Sequence, residues 1–486
     1  MVGLASLPVA GSAYATDFGD DLKARRARVM DRLGPEALLV LWSAPPQRYS
    51  RDIDYEYRQD SNLYYLTGLT QEGTILVLMP GNESTREILF VKDRNPAREH
   101  WTGHLLGLDE AKAQTLVDTV LTTSEFEPFI SAMLDRRPFG GVDARQAARF
   151  FDALSVGRAR VNVLLDEGRG VSEPLTPPLE FARRIRDRFL GFQIVDAMPI
   201  LADLRVVKTA YERQVLVKDL EISSEAQMAG MRAARPGAYE YEVKAAIEAV
   251  FRARGAFSWS YPSIVGSGPN ATTLHYEQDR RQMKAGELLL VDAAANYGYL
   301  SGDITRTFPV SGTYSPLQRD IYQIVLQAQD EAMAAARPGA TLVDVHNATV
   351  AVIKAGLMRL GLVTDATGDQ YKMWYTHGAS HYIGIDVHDV GDRTRKLEPG
   401  MAFTIEPGIY IRQSALDGLP RTPANDALIA KVQVAATKYA DIGVRVEDSF
   451  LLEESGLRRL SASTPRTMAE IEAFLRNRPA ASTAAR

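Results

Sequence analysis

The sequence predicts an α/β (α+β) chain of two domains, the second internally duplicated, and three observations carry that reading. Charged helical stretches alternate with short apolar runs. A Pro- and Ser-rich loop, VSEPLTPP at residues 171–178, comes before a change of pattern near residue 200. The phrase AARPGA stands at residues 233–238 and again at 335–340, with a long helical pattern before and after each copy. A chain of 486 residues has room for about two to four domains. Two of them, at 17–199 and 200–475, accommodate the pattern.

Taken in order, DDLKARRARVMDRLG reads as a helix whose basic run is a solvated face. Ala37–Trp42, Thr74–Met79 and Glu87–Val91 read as strands, each an apolar run of strand length. A helical segment and the short strand Gln193–Asp196 close the first domain. Thr209–Arg235 reads as a helix stopped by Pro236-Gly237, and Tyr239–Arg254 as a second stopped at Gly255. A chain duplicated in this way can fold into two similar halves that face each other across a cleft, each contributing ligands to one site.

Composition excludes several classes. There is no cysteine, which removes disulfide frameworks, thiolate metal sites and Cys nucleophiles. With 56 Lys+Arg against 61 Asp+Glu, the net charge of -5 gives no broad electrostatic reason to bind nucleic acid or an anionic membrane. No apolar run approaches the roughly 18 residues that span a bilayer. The first residues, MVGLASLPVAGSAYA, end in the A-x-A pattern of a signal-peptidase site but lack a positive start. They read as the tail of an export signal or as a flexible N-terminus, leaving cytoplasm and periplasm both open. VGSGPN at 265–270 lacks G-x-G-x-x-G spacing and reads as a turn, and no G-x-S-x-G elbow is present.

The chemistry lies in the second half. GELLLVDAAANYGYLSGDITRTFPV reads as a hairpin with Asp292 in one arm and Asp303 in the other. The apolar strands AFTIEPGIYI and GVRVEDSFLL carry Glu406 and Glu447. A single buried carboxylate can cap a turn or pair with Arg306; four in apolar strands call for a shared partner, and a metal ion is one. THGASHYIGIDVHDVG offers His377, His381 and His388, and His275 lies upstream. The pair 377 and 381 lacks the Glu of H-E-x-x-H, and Gly378 argues against a helix there. Two Asp, two Glu and one His suit two divalent ions, with Mn²⁺, Co²⁺ or Zn²⁺ the candidates. Two ions about 3.5–4 Å apart can hold a hydroxide and polarise a carbonyl, so the reaction class is hydrolysis.

The spacing of Asp292, Asp303, His381, Glu406 and Glu447, with the phrases GDITRTFPV, SHYIGIDVHDVG, TIEPGIY and VRVED, resembles the proline-specific pita-bread metallopeptidases, aminopeptidase P and prolidase. The likeness spans most of residues 205–465, and RDIDYEYRQDSNLYYLTGL at 51–69 is similar to the creatinase-type N-terminal domain of aminopeptidase P. The resemblance implies a creatinase-type domain followed by a pita-bread catalytic domain with internal pseudo-twofold symmetry. It implies two divalent ions, Mn²⁺ first. Asp292, Asp303 and Glu447 would hold one, and Asp303, His381, Glu406 and Glu447 the other. His275, His377 and His388 correspond to histidines that contact substrate and stabilise the oxyanion, and Glu406 to the carboxylate that also shuttles a proton. Arg445 matches an arginine lining the proline subsite, and Asp52 an acidic residue approaching the mouth of the site from the same or a neighbouring subunit. The implied substrate is a peptide with proline second, and the implied assembly a dimer or tetramer.

Two departures stand out. The family commonly reads Asp-Ala-Gly where this chain has Asp292-Ala293-Ala294, and the segment between Glu406 and Glu447 is longer than in compact aminopeptidase P, as in prolidase. A dipeptidase is therefore the alternative activity, and a metal-free scaffold the remote one. The substrate logic is physical: an X-Pro bond lacks an N–H and its nitrogen is ring-constrained, so it needs a dedicated site.

Overall fold

The computed structural model describes residues 12–165 and 172–478, and only the backbone of residues 12–17. The signal-like stretch up to residue 11 lies outside the described residues; from Ser12 the backbone is helical. The chain divides between Leu204 and Arg205 into two compact units.

The first unit contains α1 (Ser12–Leu33), β1 (Ala37–Trp42), β2 (Ile75–Leu78), β3 (Glu87–Val91), β4 (Thr119–Thr122), β5 (Ala159–Val163) and β6 (Phe192–Asp196). The six strands form one sheet in the order β4-β3-β2-β1-β5-β6. β2 is antiparallel to both its neighbours, and the remaining pairs are parallel. Strands β2 and β3 are buried throughout, as continuous apolar runs require when both faces of a sheet are covered. The basic run of α1 is only in part a solvated face: Lys23 and Arg32 are exposed, but Arg25 and Arg26 are 2% and 0% exposed. Arg26 pairs with Glu87 at 2.8 Å and donates to the carbonyls of Leu66 (2.9 Å) and Thr115 (2.8 Å). Its planar fork satisfies carbonyls in the last turns of the helices Ser61–Thr67 and Leu108–Thr115, which have no partner within their own helix, a job no apolar residue can do.

The second unit runs through α2 (Ala210–Ala233), α3 (Glu240–Ala253), β7 (Ile264–Ser267), β8 (Leu288–Asp292), β9 (Thr305–Pro309), α4 (Pro316–Ala335), α5 (Leu342–Arg359), β10 (Ala402–Ile405), β11 (Gly408–Tyr410), α6 (Pro423–Lys438), β12 (Gly443–Arg445), β13 (Asp448–Glu453) and β14 (Gly456–Arg459). Its duplication is visible in the backbone: a helix pair precedes the antiparallel sheet β7-β8-β9, and a second pair precedes the antiparallel sheet β10-β13-β14. The repeated phrase makes the same turn twice. Gly237 and Gly339 both lie in the left-handed region, at φ +86° and +84°, where a side chain is strained. Each donates its N–H at 2.8 Å, to Met283 O and Leu397 O respectively, tying each helix pair to the segment that leads into its sheet. Helix α2 begins where the sequence predicts, because Thr209 and Glu212 form a reciprocal capping box.

The strands are shorter than the apolar phrases suggest, and the difference falls at the carboxylates. AFTIEPGIYI is two strands, β10 and β11, broken at Glu406-Pro407, where Pro407 has no N–H to donate. GVRVEDSFLL is likewise β12 and β13, broken at Val446-Glu447. Asp292 ends β8, while Asp303 sits just before β9, after an inserted small hairpin of Ala295–Tyr297 and Leu300–Ser301. The long segment between Glu406 and Glu447 forms Gln413–Asp417 and α6, which packs on the core of this unit through Val432 and Ala436. Among the described residues no helix is long and apolar enough to cross a membrane.

Candidate metal centre

Where the strands break, their acidic residues converge. Asp292, Asp303 and Glu447 are 7%, 5% and 2% exposed. Asp303, His381 and Glu447 each offer a ligand atom, and these atoms lie within 4.8 Å of one another. His381 Nε2 stands 3.4 Å from Asp303 Oδ2 and 3.5 Å from Glu406 Oε1. The backbone N–H of Glu447 donates to Thr305 O at 3.1 Å, joining the two halves at the site itself. The five residues expected to act together are thus brought together.

Their surroundings sharpen the charge problem. Tyr261 Oη, with one proton, touches both Asp292 Oδ1 and Asp303 Oδ1. Arg445 binds Asp292 Oδ2 through Nη2, Tyr410 Oη through Nη1 (2.9 Å) and Thr305 Oγ1 through Nε (3.0 Å). Thr305 Oγ1 in turn donates to Glu447 Oε2 at 2.6 Å. One guanidinium therefore faces a nest of carboxylates. Arg306 does not help, because it is spoken for elsewhere: it pairs with Asp448 at 2.6 Å and donates to Glu447 O at 2.6 Å. Burial, and then the charge of Asp292, push the Asp303 carboxyl well above the usual range. Burial, with Asp303 and Asp292 beside it, does the same to Glu447. Glu406 is pushed up to about 8, by burial and then by Glu447. Such a set either takes up protons or takes up cations. Oxygen-rich donors with one imidazole are the donor set of divalent ions, so the residues fit metal binding.

Of the other predicted histidines, His377 and His388 border this cluster, while His275 is exposed in the second unit. His377 Nε2 lies 2.8 Å from Tyr410 Oη and its Nδ1 3.4 Å from Glu406 Oε2. Burial, aided by the charge of Arg445, lowers it to about 3, so its ring is neutral at ordinary pH. His388 packs edge-on against His381 with ring centroids 4.5 Å apart. Burial lowers its pKa, and the neighbouring His381 and His275 add to the effect. Asp52 lies in the first unit, exposed in the turn between the short strands Arg48–Ser50 and Ile53–Asp54. Arg445 is 4% exposed, with all its guanidinium nitrogens engaged inside the cluster. Sequence reasoning missed Tyr261, Thr305 and Tyr410. Hydroxyl residues in turns and strands carry no periodic signal, although Thr305 and Tyr410 stand inside the phrases GDITRTFPV and TIEPGIY.

A duplicated α/β unit gathers mostly buried carboxylates at its strand breaks beside His381, a donor set suited to divalent ions. Comparison with known proteins names its kin. The model for metallopeptidase family M24 matches residues 217–454, and that for the N-terminal domain of aminopeptidase P matches residues 22–139. The Xaa-Pro aminopeptidase of Escherichia coli (strain K12) is 33% identical over 466 residues, covering 94% of this chain and 97% of that protein. The Pseudomonas aeruginosa aminopeptidase PepP superposes with a TM-score of 0.78 at 34% identity, covering 94% of this chain and 98% of that one. Zinc-substituted E. coli aminopeptidase P in complex with product gives 0.78 at 31% identity, covering 95% and 99%. The chain belongs to metallopeptidase family M24, with an aminopeptidase P type N-terminal domain.

Proposed function

We propose that this chain is a metal-dependent Xaa-Pro aminopeptidase, releasing the N-terminal residue from peptides with proline in second position. One observation carries the reading: four carboxylates and His381 converge, mostly buried and short of positive charge, in a chain whose full-length relatives are aminopeptidases. The dipeptidase alternative draws no support from those relatives.

In this reading Asp292, Asp303 and Glu447 hold one divalent ion, and Asp303, His381, Glu406 and Glu447 a second, Mn²⁺ before Co²⁺ or Zn²⁺. When bound, the ions supply Lewis acidity toward the carbonyl before proline and lower the pKa of water. The side chains do the rest. Glu406, held between His381 and His377, takes the proton of the attacking water and passes it to the imino nitrogen as the C–N bond breaks. His388 and His275 offer imidazole N–H donors to the oxygen that gains negative charge. Arg445 and Tyr261 orient Asp292 from opposite oxygens, and Arg445 stands at the wall of the site with one N–H on each terminal nitrogen left over. Assembly into a dimer or tetramer belongs to the same reading and is open to light scattering.

The decisive comparison is turnover of Xaa-Pro-Yaa against Xaa-Pro by the Mn²⁺-loaded chain, with Asp303→Ala as the blank. Preference for the tripeptide is expected. Cleavage of the dipeptide alone reverses the choice, and full turnover by Asp303→Ala removes the metal centre from the reaction.

A further inference from the structure

The offset that separates the two AARPGA phrases also carries Gln227 on α2 onto Gln329 on α4. Both are 0% exposed. Gln227 Nε2 donates to the carbonyls of Ala293 (3.1 Å) and Ile304 (2.7 Å), the residues directly after Asp292 and Asp303. Gln329 Nε2 donates to the carbonyls of Ile405 (3.0 Å) and Val446 (3.3 Å), the residues directly before Glu406 and Glu447. In each half, one side-chain amide ties together the two backbone segments that present that half's pair of carboxylates.

The arrangement comes at a cost in one half. Gln227 Oε1 is buried with no hydrogen-bond partner, since the donor end of the amide is committed to the two carbonyls. Gln329 Oε1 accepts from Arg466 Nη1 at 2.8 Å, and its Nε2 also reaches Asp448 Oδ2 at 3.0 Å. Ala293 N–H also donates to Ile304 O at 3.1 Å, and the carboxylates beside these carbonyls repel; a bridging donor holds the two segments together against that repulsion.

We propose that Gln227 and Gln329 are paired positioning residues, which set the separation of Asp292 from Asp303 and of Glu406 from Glu447 and thereby the affinity of the centre for divalent ions. The proposal rests on those carboxylates being metal ligands. Side chains that orient ligands from behind typically change metal affinity by about 10–100-fold.

Calorimetric titration of Mn²⁺ into the metal-stripped full chain tests it. Gln227→Met and Gln329→Met should each bind Mn²⁺ at least about tenfold more weakly than wild type. Leu357→Ala, a cavity in α5 of the same core, serves as the stability control and should keep wild-type affinity at a comparable loss of Tm. Should a Met variant not fold, Gln→Asn keeps the amide but withdraws it by one methylene, and the same weakening is expected. Wild-type affinity in the folded glutamine variants overturns the proposal, as does a loss in Leu357→Ala that tracks its Tm. A wild-type chain that takes up no Mn²⁺ overturns the ligand assignment itself.

Discussion

At the scale of single residues, the site is a problem of like charge. Asp303, Glu406 and Glu447 have folded-state pKa values raised by burial and by one another. A group raised in this way stabilises the fold below its unfolded value and loses that contribution as pH rises through its folded value. For Glu406 the window runs from the ordinary value of 4.5 to about 8. The metal-free chain is therefore expected to melt at higher temperature at pH 5 than at pH 8, and saturating Mn²⁺ should flatten that difference. Melting curves across this range, with and without chelator, check it; a metal-free Tm that climbs with pH contradicts the charge balance drawn for the site. His388 gives a second residue-scale expectation. Its removal in His388→Ala should lower kcat on an Xaa-Pro-Yaa peptide by about 10²–10³-fold, as the loss of an oxyanion donor does. Unchanged kcat would take this ring out of the oxyanion role.

At the scale of elements, the repeated helix pair makes two matched experiments. Gly237 and Gly339 turn at nearly equal positive φ, and a Cβ at either meets nothing within 4 Å. Strain alone is then at issue, so Gly237→Ala and Gly339→Ala should each cost roughly 1–2 kcal/mol in urea unfolding. Very different costs for the two would show that the copies bear unequal loads. The buried Arg306–Asp448 pair makes a harsher case, since both side chains are 0% exposed and Arg306 also grips Glu447 O. Asp448→Ala leaves an uncompensated guanidinium and is expected to destabilise by about 3–5 kcal/mol.

At the scale of the whole molecule, the division at Leu204 separates a sheet domain with its own core from the unit that holds the candidate metal ligands. Ligand binding to the native state alone stabilises by mass action, about 2.7 kcal/mol at a hundredfold excess over Kd. Scanning calorimetry should accordingly show a transition that Mn²⁺ moves upward, belonging to the second unit, and one it leaves in place. A single transition shifting as a whole would mean that the two units unfold together.

Much of this was legible in the residue order, and the parts that were not share one cause. Apolar runs, Pro-Gly stops and a repeated phrase are local signals, so the alternation of helix and strand and the duplication could be read directly, and the family-like phrases pointed to Asp292, Asp303, His381, Glu406 and Glu447 as candidates. The strand break at Glu447 could not be read, because hydrophobic patterning does not show where a ladder loses its partner, whereas Pro407 marks the break at Glu406. Nor could the burial of Arg25 and Arg26, which donate to carbonyls about 40 to 90 residues away in the chain. The order of residues determined which carboxylates and histidines this protein offers as candidate cation ligands and, through its repeat, that they come in two halves. Only tertiary structure decided that Arg306 turns away to Asp448, that Arg445 and Tyr261 grip Asp292, and that two glutamines reach the carbonyls beside the ligands. Hydrogen bonding and Coulomb energy act over ångströms in space, and distance along the chain says little about them.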